Sequence, residues 1–210
     1  MKLPTRFLVV FLAAGILLLA SCTTGRVPES EQTAAIIRLA GDLCDLAPTV
    51  DKDEAYRTAE AAVRYPLELA KKNRVVSPPA YNNILINCGV HRRGLCFQWA
   101  DDLTAKLMTL HLKTMELHRG VAELGKKHEH SCVVVTAIGQ SFTNGIALDA
   151  WRFGGWVHWG RVPDDKYKWE EVGLLPFYKE ELQAAADALE AEMANPKTKV
   201  PVKNAPSQMR

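Results

Sequence analysis

Three residues of this chain have types and spacing suited to one kind of chemistry. Cys96 stands in Arg93-Gly94-Leu95-Cys96-Phe97-Gln98-Trp99, where an apolar helical pattern begins. His130 opens the run Glu129-His130-Ser131-Cys132-Val133-Val134-Val135, and Asp149 lies in Ile146-Ala147-Leu148-Asp149-Ala150-Trp151. A thiol, an imidazole and a carboxylate in this order can act as nucleophile, base and orienter in acyl transfer. A free thiol ionises near ~8.5 and reacts as thiolate, so at neutral pH it needs assistance. The unpaired N–H groups and dipole at the start of a helix supply it, and Gly94 permits the tight turn that places Cys96 there. His130 adjoins the apolar run directly, whereas His128 sits in the polar Lys126-Lys127-His128. His130 is therefore the candidate base. An acid inside an apolar strand calls for a buried partner, and an imidazolium suits Asp149. A hairpin turning at Gly139-Gln140 sets His130 opposite Asp149. A turn at Thr143-Asn144-Gly145 shifts the register so that Asp149 no longer meets His130, and requires a bulge.

The elements that must hold these groups are legible from hydrophobic spacing. Thr33 to Ala47 has amphipathic helical spacing. Asp51 and Glu54 look like an N-cap and its capping-box partner, opening a second helix through about Arg64. Pro66 is expected to kink or restart that helix, which Lys71-Lys72-Asn73 ends. Ala80 to Asn87 reads as a short helix after the Ser77-Pro78-Pro79 break. From Cys96, the residues Ala100, Leu103, Leu107 and Leu110 recur at three- and four-residue steps, with Asp101 and Asp102 facing away or capping. The period then changes to that of strands: Met115 to His118, Ser131 to Ile138, Gly145 to Trp151 and Trp156 to Val162. Asp164 to Trp169 reads as a loop, and Tyr178 to Met193 as a closing helix. Helices first, then a small antiparallel sheet, then a helix: this is an α+β domain.

At this point the residues carry a family resemblance. Gly94-Leu95-Cys96-Phe97-Gln98-Trp99, then Glu129-His130 before a valine-rich strand, then Leu148-Asp149-Ala150-Trp151, resembles the core of papain-like and transglutaminase-like cysteine enzymes. The resemblance covers Gly89 to Trp151, and it lies in order and context rather than in a local signature. It implies N-terminal helices packed on a small antiparallel sheet. It also implies a Cys96–His130–Asp149 triad, with the backbone N–H of Cys96 and the side chain of Asn87 or Gln98 as candidate oxyanion donors. It calls for no cofactor and no metal. His111 and His118 have no fixed ligand spacing, and His111 reads as a rim residue.

The N-terminal segment reads as a targeting sequence. Lys2 and Arg6 precede the uncharged apolar run Phe7 to Leu19, which is short for a membrane span. The run ends in Leu19-Ala20-Ser21-Cys22, which resembles the lipobox of bacterial lipoproteins. That resemblance implies residues 1–21 as a signal peptide and lipidation of Cys22; composition and spacing add a polar tether over 22–32, a single domain over 33–194 and a disordered tail over 195–210, which has three prolines and no acidic residue. The lipobox resemblance also implies attachment to the cell envelope. With Thr23 following the cysteine, the outer membrane is favoured over the inner if the source is Gram-negative. Losing Lys2 and Arg6 leaves the chain formally neutral, so charge gives no case for nucleic-acid binding.

Of the remaining cysteines, Cys44 and Cys132 read as small hydrophobes, and a Cys44–Cys88 bridge stays open. The tryptophans at 151, 156, 159 and 169 read as packing residues, with a stacking wall for sugar or peptide as the alternative. The functional expectation is a lipid-anchored, cysteine-dependent amidase, peptidase or transglutaminase-type enzyme. Its substrates would be peptide or protein amides, peptidoglycan stem peptides among them. The rival is a non-catalytic envelope lipoprotein that uses the same fold to bind a partner.

Overall fold

The computed structural model describes residues 27–173 and 176–195. The Cys22 motif, the apolar run before it and all but the first residue of the expected tail lie outside them. Among the described residues, five α-helices and five strands follow in the order α1 Glu29–Cys44, α2 Lys52–Lys72, α3 Pro79–Asn87, α4 Cys96–Met108, β1 Met115–Ala122, β2 His130–Ala137, β3 Ile146–Asp149, β4 His158–Arg161, β5 Glu170–Glu171 and α5 Pro176–Ala194. The strands form one antiparallel sheet, β4-β3-β2-β1-β5. The α+β class expected from the sequence is what the chain adopts.

Strand alternation gives the sheet two different faces. Val133, Val135, Ala137, Ile146 and Leu148 point to the helices and join Leu39, Leu43, Val63, Leu103 and Leu107 in the main core. Cys132, Val134 and Ala147 point the other way, beneath Phe142, Val162 and Trp169. His130 and Asp149 share this second face by the same alternation. The second cover is mostly irregular chain: two short 3-10 turns, Phe142–Asn144 and Val162–Asp164, and the segment leading into β5.

Several elements differ from the sequence reading, each for a physical reason. Helix α1 starts at Glu29, inside the expected tether, where Glu29 and Glu31 favour the first turn and Arg64 of α2 pairs with Glu29. Helix α2 runs unbroken through Pro66 to Lys72, with Asp51 accepting from the N–H groups of Asp53 and Glu54. Glu54 does not close a capping box. Its buried carboxylate instead accepts from Lys113 N, Thr114 N and Thr114 Oγ1 at 2.7–2.9 Å, pinning the turn before β1. Strand β1 extends past Arg119 and Gly120, the residues that ended the alternation on paper. Arg119 finds Asp101 on α4 at 2.6 Å. Gly120 leaves the room that the Cys132 sulfur takes, since a Cβ there would lie 2.9 Å from it. Asp102 likewise does not face away but pairs with Arg93 at 2.7 Å. Cys44, Cys88, Cys96 and Cys132 are all free thiols.

Candidate active site

Cys96 is the first residue of α4, and its placement is governed by Gly94. The φ of Gly94 is +131°, in the region that favours glycine, and a Cβ there would lie 2.4 Å from Asn82 Nδ2. The N–H of Gly94 donates to Gln98 Oε1 at 2.8 Å, and its carbonyl accepts from Trp99 Nε1 at 3.1 Å. The turn is thus clamped by α3 on one side and by the first turn of α4 on the other. Asn82 is itself fixed: its Oδ1 faces Val76 N at 3.3 Å and His91 Nδ1 at 2.9 Å.

The Cys96 thiol points at the end of β2, with Sγ 3.7 Å from the carbonyl oxygen of Glu129. The next residue is His130. Its ring holds Asp149 through Nε2, at 2.8 Å from Oδ2, and lies near enough to the sulfur for Cys96 to act on its protonation. The thiol therefore comes from the helix layer and the imidazole from the far face of the sheet, and they meet at the end of the strand. The β2–β3 register pairs Val133 with Leu148. Continued by one residue, it sets Asp149 across from Cys132, with His130 as its diagonal neighbour on the same face. The turn lies close to Gly139-Gln140, where Gln140 N donates to Ala137 O and Gly139 has φ +77°.

The imidazole is only 3% exposed. Its ring centroid lies 4.8 Å from that of Trp151, 4.6 Å from Tyr167 and 5.4 Å from Trp169. Burial alone presses the ring toward its neutral form. The hydrogen bond to Asp149, the neighbouring Cys96 sulfur and the charges of both outweigh that and lift His130 to about 9. Burial works against the Asp149 carboxylate too. His130 and Arg152 outweigh it and hold Asp149 below the usual carboxylate range.

Arg152, Asp165 and Tyr167 are site residues that the sequence reading did not find. Arg152 Nε donates to Asp149 Oδ2 at 2.9 Å, and the N–H groups of Trp151 and Arg152 reach Oδ1 at 3.1 Å. Arg152 Nη2 then meets both oxygens of buried Asp165 at 2.9 Å. The i,i+3 spacing of Asp149 and Arg152 was the one available signal. Of the expected oxyanion donors, Gln98 turns its carbonyl oxygen to Gly94 N and Leu95 N, and Asn87 ends α3 exposed to solvent. The first N–H groups of α4, from Cys96 on, have no intrahelical acceptor and no side-chain cap.

No protein family, curated protein or solved structure matches the chain. The three residues chosen for their chemistry stand together on geometry alone. Of the other histidines, His158 is the strand partner of Asp149 and brings Nε2 to 4.0 Å from Asp165 Oδ2, whereas three stand apart. His111 pairs with Glu190 at 3.2 Å, His118 lies between Glu171 and Thr136, and His128 is exposed. Among the described residues, no group of three His, Cys, Asp or Glu side chains could hold a metal ion.

Proposed function

We propose that this protein is a lipid-anchored envelope enzyme that transfers acyl groups through Cys96, His130 and Asp149 on a papain-like or transglutaminase-like core. One observation carries the reading: a thiol at a helix start sits 3.7 Å from the Glu129 carbonyl, beside a single buried imidazole that is hydrogen-bonded to a carboxylate at 2.8 Å.

In the mechanism, the Cys96 sulfur attacks an amide carbonyl carbon and forms the S–C bond. The N–H groups at the start of α4 receive the developing oxyanion. Collapse breaks the C–N bond, and the proton held by His130 goes to the leaving amine. Water or a second amine then attacks the thioester, giving its proton to His130 and releasing the sulfur. Water makes the enzyme an amidase or peptidase; an amine makes it a transglutaminase-type transferase. Asp149 fixes the ring and stabilises the imidazolium throughout. Peptide and protein amides of the envelope, including peptidoglycan stem peptides, are the substrates that the anchor makes accessible.

The test is alkylation by iodoacetamide at neutral pH, with the modified cysteines located by mass spectrometry. Cys96 should react faster than the exposed Cys88, and His130→Ala should remove that advantage. On any amide substrate found, Cys96→Ala should abolish turnover, and His130→Ala should cost roughly 10⁴-fold. Asp149→Ala should cost less than His130→Ala. A Cys96 no more reactive than Cys88 would sink the enzyme and leave the partner-binding lipoprotein.

A further inference from the structure

Helix α3 is turned inside out. Its one buried residue is a polar one, Asn82, at 1% exposure. Besides Ala80 and Asn87, its exposed positions are Tyr81 and Ile84, three residues apart, and the C-cap Cys88 follows four residues on along the same face. Ile84 is 56% exposed. The chain leaving the helix continues the pattern. Val90, whose N–H returns to Leu85 O, is 65% exposed, and Phe97 stands exposed beside the thiol. The segment folds back along α3, since Gly94 packs on Asn82 and Ile86. An exposed apolar surface gathered in this way marks an interaction site.

Charge says what the surface faces. From Leu69 to Ala100 the sequence has five Lys or Arg residues and no Asp or Glu. Arg93 pairs with Asp102, and Lys72 lines a groove with Glu68 and Glu192. Lys71, Arg74 and Arg92 are exposed, and among the described residues they make no ion pair. Exposed apolar side chains flanked along the chain by unpaired cations fit the interfacial zone of an anionic bilayer. The position in the fold agrees. Helix α1 begins beside Arg64, in the second half of α2, and the end of α2 leads into α3. The first described residues therefore lie toward the end of α2 that leads into this face, and the anchored reading puts the membrane on that side.

We infer that α3 and the segment to Phe97 form a membrane-facing surface that rests on anionic lipid and sets the Cys96 site at the bilayer–water boundary. The orientation rests on the anchored reading above; the attraction to anionic lipid does not.

Hydrogen exchange by mass spectrometry on the full chain, mixed with vesicles, tests it. One vesicle set contains phosphatidylcholine alone and the other phosphatidylcholine with phosphatidylglycerol. Exchange over 81–97 should slow several-fold with the anionic vesicles only. High salt or the paired substitutions Ile84→Asp and Arg92→Glu should reverse it, while the 138–144 turn stays unchanged. Flotation, read in parallel, separates the two ideas. A chain that floats with both vesicle types without slowing over 81–97 keeps its anchor and overturns the surface. Slowing with anionic vesicles but no flotation with phosphatidylcholine supports the surface and counts against the anchor. Flotation with neither overturns both.

Discussion

A proton held on a buried ring has consequences for stability as well as for chemistry. An imidazole titrates near ~6.5 in the unfolded chain, whereas His130 titrates at about 9 in the fold. Between those values the folded state binds the extra proton. The contribution to stability is therefore complete below pH ~6.5, on the order of 3 kcal/mol, and is lost as pH rises through about 9. Urea melts at pH 6 and pH 9.5 should show the fall, and His130→Ala should flatten it. Arg152 deserves a separate expectation because it bridges two buried carboxylates. Arg152→Leu leaves Asp149 with only His130 as a charged partner and Asp165 with only His158, 4.0 Å away, and should cost about 3–5 kcal/mol in urea unfolding. At this scale the sequence revealed groups whose chemistry is intrinsic: a thiol at a helix start, a histidine at a strand mouth, an acid among apolar neighbours. Asp165 and Tyr167 were hidden because nothing local distinguishes an acid or a tyrosine in a loop from a solvated one. Only the folding of 162–171 across the sheet brings them to the site.

Helices and strands were legible wherever one face of the segment carries the hydrophobic period. Thus α4, β2 and the α2 start were placed by Leu103 and Leu107, by the valine run, and by Asp51. The pattern failed where a long-range partner replaces the local signal. Glu54 is the clearest case: its spacing from Asp51 suggested a helix cap, yet its oxygens serve a turn some sixty residues away. Removing that carboxylate leaves two backbone N–H groups and a hydroxyl without their acceptor. Glu54→Ala should lower stability by about 2–4 kcal/mol. The loss should show in the urea midpoint and as faster exchange at Lys113 and Thr114, with α2 still helical. Strand β1 was cut short and β5 missed for the same reason. Arg119 and the Glu170-Glu171 pair look polar in sequence, and only their partners on α4 and β1 make them part of a sheet.

For the whole molecule, attachment and chemistry are separable. Cys22→Ser should release the protein from the membrane fraction or block its processing, as fractionation would show, while Cys96 keeps its reactivity. Unchanged fractionation and normal maturation would remove the anchor from the reading and leave the site as it is. The clamp on Gly94 has a comparable effect on how the protein can change over evolutionary time. Because Asn82, Gln98 and Trp99 grip the turn from His91 onward, the sulfur does not depend on what the chain does at Gly89 and Val90. Insertions or altered residues there can accumulate without moving the nucleophile. Descendants of this chain are therefore free to exchange what they dock against while inheriting the same reactive centre, and diversity should concentrate just before residue 91 and stop there.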